Sequence, residues 1–182
     1  MEQTTKIIRA NALELDFETI GVLKIIDYPL EKRDYKPYAQ ARLALTEASL
    51  SLELLSFEAK PSPKSCLTLA LAPSKKFLAE PFVVSIFAEK SLKRSRDFEG
   101  EIRCHFFEGD DLQGVFWGAR LEIPLEELEG YFGEAIESKI FMGIYKTCQE
   151  KPFVHYGSLF PTDWSVKNYI PTGMREAEII NF

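Results

Sequence analysis

The sequence predicts an all-β fold, an antiparallel β-sandwich of the jelly-roll type, from three observations. Apolar and polar residues alternate with a period of two through most of the chain, and turn-forming residues interrupt this alternation at intervals of roughly 8–12 residues. Only one segment of the sequence has the pattern of a helix. With 182 residues, 46% of them hydrophobic, the chain has the size and composition of a folded domain. We therefore expect one domain over residues 1–182.

The predicted strands follow from this alternation. In segments such as 50–54, 67–71, 102–106 and 119–123, every second residue is apolar, which gives each strand one face for a core and one for solvent. The complete set of predicted strands lies near residues 5–10, 20–27, 39–46, 49–58, 65–72, 81–88, 101–107, 113–123, 138–146, 153–159 and 176–181.

Polar segments between these strands are the predicted connections. Residues 46–49 and 108–111 have the composition of hairpin turns. The two prolines of segment 61–64 suit a loop, because proline has no backbone N–H to donate within a sheet. The basic residues of segment 90–96 lie between two apolar runs, and we interpret that segment as a solvated loop.

One segment predicts a short helix, near residues 124–132. Pro124 suits the first turn of a helix, and the acidic residues that follow it are favourable near the positive end of the helix dipole. Leu125, Leu128 and Phe132 are spaced to face one side, and Gly133 is a suitable C-cap residue.

Charge and cysteine content narrow the function classes. The net charge is −6, and we expect neither a nucleic-acid nor a membrane partner, because both polyanionic surfaces need a basic footprint. No apolar run approaches the ~18–20 residues that a membrane-spanning helix needs. The start of the sequence lacks a signal-peptide pattern, and the three cysteines fit neither a disulfide framework nor a zinc motif. We therefore expect a cytoplasmic protein.

The titratable residues do not select an enzymatic mechanism. His155 has no second metal ligand at a zinc spacing, and His105 fits a surface or packed position although it could line a binding face. No nucleophile or phosphate-binding motif is present. Asp110 and Asp111 are candidate calcium ligands, since carboxylates are hard oxygen donors, but a hairpin turn attracts the same residue types. A catalytic arrangement of residues distant in sequence stays open.

Aromatic residues near the C-terminus suggest a sugar-binding site. Sugars present apolar C–H faces ringed by hydroxyls, so a site for them combines a flat aromatic ring with fixed polar groups at its edge. Trp164 lies in the polar run 161–165, where periodicity does not require a core residue, although a tryptophan folded back over the core fits this position equally well. The predicted ligand-binding residues are Trp164, Tyr145, His155, Tyr169, Lys146 and Asn168.

Residues 141–148 and 152–158 resemble the C-terminal part of the carbohydrate-binding modules of family 9. Three further segments follow in the same order as in the family, and they are 41–54, 64–69 and 118–124. The resemblance covers most of residues 24–182. It implies a β-sandwich that binds glycans without cleaving them and stacks a sugar between aromatic rings, with structural calcium in some members.

The chain departs from the family pattern at three places. Leu159 stands where the family commonly has Trp, Lys64 replaces an Asp, and residues 169–174 replace a closing segment that contains Phe and His. Trp164 is a candidate substitute for the missing ring.

We therefore hypothesise a stand-alone, non-catalytic carbohydrate-binding module whose partner is a glycan. Two alternatives from other classes stay open beside an enzyme of unrecognised type. One is a protein-interaction or scaffold domain that has lost sugar binding. The other is a haem protein, for which Met142 with His155 or His105 would supply the axial ligands.

Overall fold

A computed structural model describes residues 4–11, 15–32 and 38–181, and within these ranges twelve β-strands form one continuous sheet beside a single α-helix. The strands, in chain order, are β1 (Thr5–Arg9), β2 (Leu23–Ile25), β3 (Tyr38–Leu45), β4 (Ser49–Phe57), β5 (Cys66–Ala72), β6 (Phe82–Phe87), β7 (Ser91–Arg94), β8 (Arg103–Asp111), β9 (Gly114–Pro124), β10 (Lys139–Cys148), β11 (His155–Ser158) and β12 (Arg175–Asn181). The helix is α1 (Leu125–Phe132), and three short 3-10 helices span Phe17–Thr19, Lys75–Phe77 and Ile170–Gly173.

The sheet curls over so that its two halves enclose one core. The strand order is β7-β6-β5-β10-β12-β1-β3-β4-β9-β8, with β11 paired to β10 and β2 paired to β3. We name β7, β6, β5, β10 and β11 the first half-sheet, and β2, β3, β4, β9 and β8 the second. Apolar side chains from both halves pack together in the core. Lys90, in the turn before β7, has its Nζ 3.4 Å from Glu108 Oε1 on β8, so the two end strands of the sheet come close at this point. The predicted β-sandwich is confirmed.

The prediction of a purely antiparallel sheet is wrong at β1. This strand pairs in parallel with β12 on one side and with β3 on the other, whereas the remaining pairs are antiparallel, so the sheet is mixed. Period-two alternation tells which face of a strand is buried, but it contains no information on the direction of the neighbouring strands.

The hairpin turn predicted at residues 46–49 is confirmed, and the one predicted at 108–111 is wrong. Thr46 N donates to Ser49 O over 2.8 Å at the first. At the second, β8 continues through Asp111 and the turn consists of the two residues that follow it. Gly114 closes this turn with φ of +120°, a conformation that glycine adopts readily, and Asp111 Oδ1 accepts from Gln113 N over 2.7 Å.

The basic segment predicted as a loop contains a strand instead. Ser91–Arg94 pairs with β6 as an edge strand, and the side chains of Lys93 and Arg94 are exposed. Charged residues at a sheet edge discourage pairing with other chains, so a basic composition is compatible with an edge strand.

The predicted helix is confirmed over Leu125–Phe132. Leu128 and Phe132 are its buried residues, and Gly133 ends it in the left-handed conformation with φ of +64°. No helix in the described ranges is long and apolar enough to cross a membrane.

Candidate functional site

The outer surface of the first half-sheet contains a groove of about 450 Å³, which we name groove A. Its floor consists of outward-facing residues on three neighbouring strands, because Thr68 pairs with Ser85 across β5 and β6, and Cys66 pairs with Thr147 across β5 and β10. The neutral polar and aromatic lining includes Thr68, Ser85, Thr147, Gln149, Phe87 and Tyr169, and the charged residues Lys64 and Glu150 also line the groove.

The floor of groove A is a chain of weak, neutral hydrogen-bonding groups. Thr68 Oγ1 and Ser85 Oγ are 2.7 Å apart, and Cys66 Sγ lies 3.4 Å from Thr68 Oγ1. Burial raises the pKa of the Cys66 thiol above its ordinary value of 9.0, against the opposing effect of these hydroxyls. The sulfur is therefore a thiol at neutral pH, and the floor offers hydrogen bonds rather than a nucleophile.

One wall of groove A belongs to an aromatic cluster, which we define as Tyr145, Tyr156, Trp164 and Tyr169. The ring centroids of Trp164 and Tyr169 are 4.6 Å apart, and those of Tyr145 and Tyr169 are 5.6 Å apart. The ring centroids of Tyr156 and Trp164 are 5.4 Å apart. Trp164 is therefore folded back over the sheet, where it supports the Tyr169 ring.

Tyr145 is the fixed base of this aromatic cluster. Its side chain is fully enclosed, and its hydroxyl donates to Ile170 O over 2.5 Å. Gly143 and Gly173 leave the space for the ring, because a Cβ on either residue would overlap it. Burial raises the pKa of Tyr145, so the phenol keeps its proton and ties down the segment that follows Tyr169.

Behind groove A, on the inner face of β10, lies an enclosed polar network. Lys146 occupies an inward position in the alternation of β10 and has 0% exposure. Its ammonium donates to Glu58 Oε1 over 3.2 Å, to Ser65 Oγ over 2.5 Å and to His155 Nε2 over 2.6 Å. A lysine ammonium has three protons, and each of them has an acceptor here.

The histidine and glutamate of the network complete the same pattern. His155 Nδ1 lies 2.7 Å from Phe153 O, and a carbonyl is an acceptor, so Nδ1 carries the proton and Nε2 accepts from Lys146. Glu58 accepts from the indole N–H of Trp117 over 2.7 Å and from Ser65. The network is therefore a self-satisfied interior structure.

Burial and pairing shift the pKa values of the two charged groups of this network, Glu58 and Lys146, and both shifts are downward. For Glu58, burial raises the pKa, but Lys146, Trp117 and Ser65 together outweigh burial and hold it below its ordinary value of 4.5. For Lys146, burial lowers the pKa below 10.5, and the Glu58 carboxylate opposes this effect without cancelling it.

The structure brings some of the predicted ligand-binding residues together and separates others. Tyr145, Trp164 and Tyr169 belong to the aromatic cluster. Of the six predicted residues, all of which the structure describes, Tyr169 is the one that lines groove A. Lys146 and His155 are enclosed on the opposite side of β10 and bind other protein groups. Asn168 is exposed beside Tyr169. Contact of these six residues with a ligand stays a prediction.

The hydroxyl and amide residues of groove A, namely Thr68, Ser85, Thr147 and Gln149, were not among the residues predicted from the sequence. A signal for the first three was present, because each occupies an outward position in an alternating strand. The missing information was that β5, β6 and β10 are neighbours, which joins those positions into one surface.

The predicted metal and haem ligands do not form a site in the described ranges. Asp110 and Asp111 are exposed on the β8–β9 hairpin, and no group of three or more candidate metal-ligating side chains occurs in these ranges. Met142 lies in the core with 0% exposure, while His105 is exposed on the outer face of β8. Both ring nitrogens of His155 are within hydrogen-bond distance of protein atoms.

Comparisons with known proteins identify the fold. No protein-family model and no curated protein matches the chain. Among solved structures, a protein from Bacteroides uniformis proposed to bind carbohydrate superposes with a TM-score of 0.68 at 14% identity, covering 98% of this chain and 100% of that one.

Two further matches are a family 9 carbohydrate-binding module from Caldicellulosiruptor kristjanssonii. Its complex with cellotriose gives a TM-score of 0.65 at 10% identity, covering 98% of this chain and 95% of that one. Its complex with glucose gives 0.64 at 8% identity, with 98% and 97% covered. The fold expected from the sequence resemblance is thereby confirmed, and this chain has the β-sandwich fold of family 9 carbohydrate-binding modules.

Proposed function

We propose that this protein binds a saccharide in groove A and does not cleave it. The observation that carries the proposal is the composition of the groove, in which a floor of neutral hydroxyl groups meets the half-buried ring of Tyr169. Hydroxyl and amide groups satisfy the edges of a sugar, and an aromatic ring covers its C–H face.

The groove is held rigid from behind, which favours binding. Tyr169 is backed by Trp164 and Tyr145, so its ring has little freedom to lose when a ligand stacks on it. Thr147 follows Lys146 on β10, and the enclosed Lys146 network fixes that strand. Preorganised contacts of this kind reduce the entropy lost on binding.

The acid–base content of groove A supports binding without catalysis. Among the described residues that line it, Glu150 is the one carboxylate, and Ser62 donates a hydrogen bond to it. Glycoside hydrolysis ordinarily uses a pair of carboxyl groups on opposite sides of the scissile bond. The Glu58 carboxylate, in turn, is committed to the enclosed network.

The structural neighbours suggest the first ligands to try. The two family 9 structures are complexes with glucose and with cellotriose, so we take these two sugars as probes for groove A. Proteins with this fold need not share a ligand, and an array of neutral and acidic glycans extends the search.

Isothermal titration calorimetry tests the proposal with two variants and a matched control. Tyr169→Ala removes the wall ring and Gln149→Ala removes an exposed amide of the groove, and each is expected to weaken binding of a sugar found to bind by about tenfold or more, equivalent to about 1.4 kcal/mol. Gln113→Ala, in the exposed β8–β9 turn, is the control and leaves the Kd unchanged.

Two results would contradict the proposal. One is the absence of any binding across the glycan array, which would favour the alternative of an interaction domain. The other is binding that neither Tyr169→Ala nor Gln149→Ala weakens, which would place the sugar outside groove A.

A further inference from the structure

The outer surface of the second half-sheet contains a second groove, on a different set of strands from groove A. Two adjoining depressions of about 320 and 560 Å³ share Arg103 and Glu122 in their linings, and we name them together groove B. The depressions adjoin at these two residues on the surface of β4, β9 and β8, and the larger one alone exceeds groove A in volume.

Strand register arranges the polar residues of groove B in rows. Ser51, Glu122 and Arg103 lie side by side on β4, β9 and β8, with Arg103 Nη1 3.4 Å from Glu122 Oε2. In the next outward row on the same three strands, Glu53 is followed by Arg120 and then by His105. In each of these two rows, a carboxylate that accepts hydrogen bonds therefore lies next to a guanidinium that donates them.

The second row is fixed by a buried carboxylate. Glu53 is 5% exposed, although it occupies an outward position, and its two oxygens accept from Arg42 Nη1 over 2.7 Å and from Arg120 Nε over 2.8 Å. Arg120 uses Nε for this pair, and its side chain, which is about half exposed, also lines the groove. A guanidinium edge is a two-donor fork that fits a pair of adjacent oxygens.

An apolar ring stands beside these charges. Phe17, at the start of the 3-10 helix Phe17–Thr19, lies with its ring 5.2 Å from the Arg120 guanidinium and is partly exposed in the groove. At the other end, the hydroxyls of Thr46, Ser49 and Ser51 form a chain with steps of 3.1 and 3.2 Å. Groove B therefore has the ring, the forked donor and the hydroxyls that sugar recognition requires.

We propose that groove B is a second saccharide-binding site, which takes several consecutive units of a neutral oligosaccharide. The ligand class rests on the proposed function, but the site does not share a residue with groove A. We expect an uncharged ligand because the charges that line the groove balance, with Arg103 and Arg120 matched by Glu101 and Glu122. An acidic sugar would meet as many carboxylates as guanidiniums and gains nothing from its charge.

NMR titration of the ¹⁵N-labelled protein separates the two sites. The probes are cellohexaose, xylohexaose and mannohexaose, with hexagalacturonate as the acidic comparison, and they are added to the Tyr169→Ala protein so that groove A is weakened. We expect at least one neutral hexasaccharide to shift the amides of Arg103, His105 and Arg120, with a smaller effect from hexagalacturonate.

Paired variants on the same background sharpen this test. Arg103→Ala and Phe17→Ala are each expected to raise the Kd for the groove B shifts by about tenfold, equivalent to about 1.4 kcal/mol. Arg96→Ala is the matched arginine control, since Arg96 is exposed and lies outside both grooves, and it leaves that Kd unchanged.

The outcomes distinguish this inference from the proposed function. Shifts confined to groove A of the wild-type protein overturn the second site and leave the proposed function standing. In the same titration of the wild-type protein, shifts at groove B without any at groove A support the second site and contradict groove A. The second site is also overturned if none of the three neutral hexasaccharides shifts a groove B amide, or if hexagalacturonate binds there more tightly than they do.

Discussion

Two buried glutamates, Glu53 on β4 and Glu58 just after it, show how differently one fold uses the same side chain. Their odd spacing puts Glu58 on the inner face, within the Lys146 network, and Glu53 on the outer face, under groove B. Each carboxylate is nearly enclosed, with 7% exposure for the residue at Glu58 and 5% at Glu53.

The difference lies in the partners. The Lys146 side chain is 0% exposed, whereas those of Arg42 and Arg120 are 21% and 55% exposed. Water and salt therefore screen the outer cluster but not the inner one. We infer that the inner cluster determines the stability of the sheet behind groove A, while the outer cluster positions surface groups for recognition.

The largest effect that would test this comparison comes from Lys146→Met. Methionine has a length similar to that of lysine but no charge, so the Glu58 carboxylate stays buried without its cation. This lowers the free energy of unfolding by about 3–5 kcal/mol. Urea denaturation measures it. Lys139→Met, on the same strand, is the control, and it is expected to change the unfolding free energy much less because water screens the half-exposed Lys139–Glu176 pair.

A double-mutant cycle completes that experiment. Glu58→Gln removes the buried charge, so Lys146→Met should cost less in the Glu58→Gln protein than in the wild type. Equal costs in the two backgrounds would mean that the Lys146 side chain acts by packing alone, and the distinction between inner and outer clusters would then lose its electrostatic basis.

The pH dependence of stability is the second test, and both charged groups give it the same sign. The pKa of Glu58 is lower in the folded protein than its ordinary 4.5, so its stabilisation is present above that pH and is lost as the pH falls through the folded pKa. The pKa of Lys146 is lower than 10.5, so the unfolded chain binds more protons and stability rises with pH up to 10.5.

Urea midpoints of the wild type and of Lys146→Met/Glu58→Gln, measured from acid to alkaline pH, check this expectation. The difference in unfolding free energy between the two proteins should increase with pH in the acid range and again in the alkaline range below 10.5. A difference that stays flat over both ranges would contradict the assignment of the pKa shifts to this pair.

Most of the fold follows from patterns that are local in the sequence. Alternation located eleven of the strands and indicated the buried face of four of them, and the proline and glycine at the two ends of α1 located the helix. The parallel pairing of β1 was not predictable in this way, because it depends on contacts with β3 and β12, which are distant in the chain. Edge strand β7 was not predicted, because the basic residues of its segment indicated a solvated loop.

The candidate site was less predictable, because its members meet through strand neighbours. Lys146 looked like a ligand contact, since lysine is usually exposed, but its inward position on β10 was readable from the alternation. Its acceptors come from Glu58, Ser65 and His155, three distant segments, so no local pattern indicated that a buried lysine would be satisfied.

The smallest expected effect concerns the outer cluster. Arg120→Gln removes one of the two cations of Glu53, and the exposure of Arg120 limits the cost to about 0.2–1 kcal/mol at low salt. In 1 M NaCl the screening length falls to about 3 Å, so this cost should shrink toward zero, whereas the cost of Lys146→Met should persist. Urea denaturation of both variants with and without salt measures the contrast. If Arg120→Gln keeps its full cost in salt, the Glu53 cluster is a buried pair like that of Glu58, and the guanidinium that we assign to groove B is a structural element of the sheet.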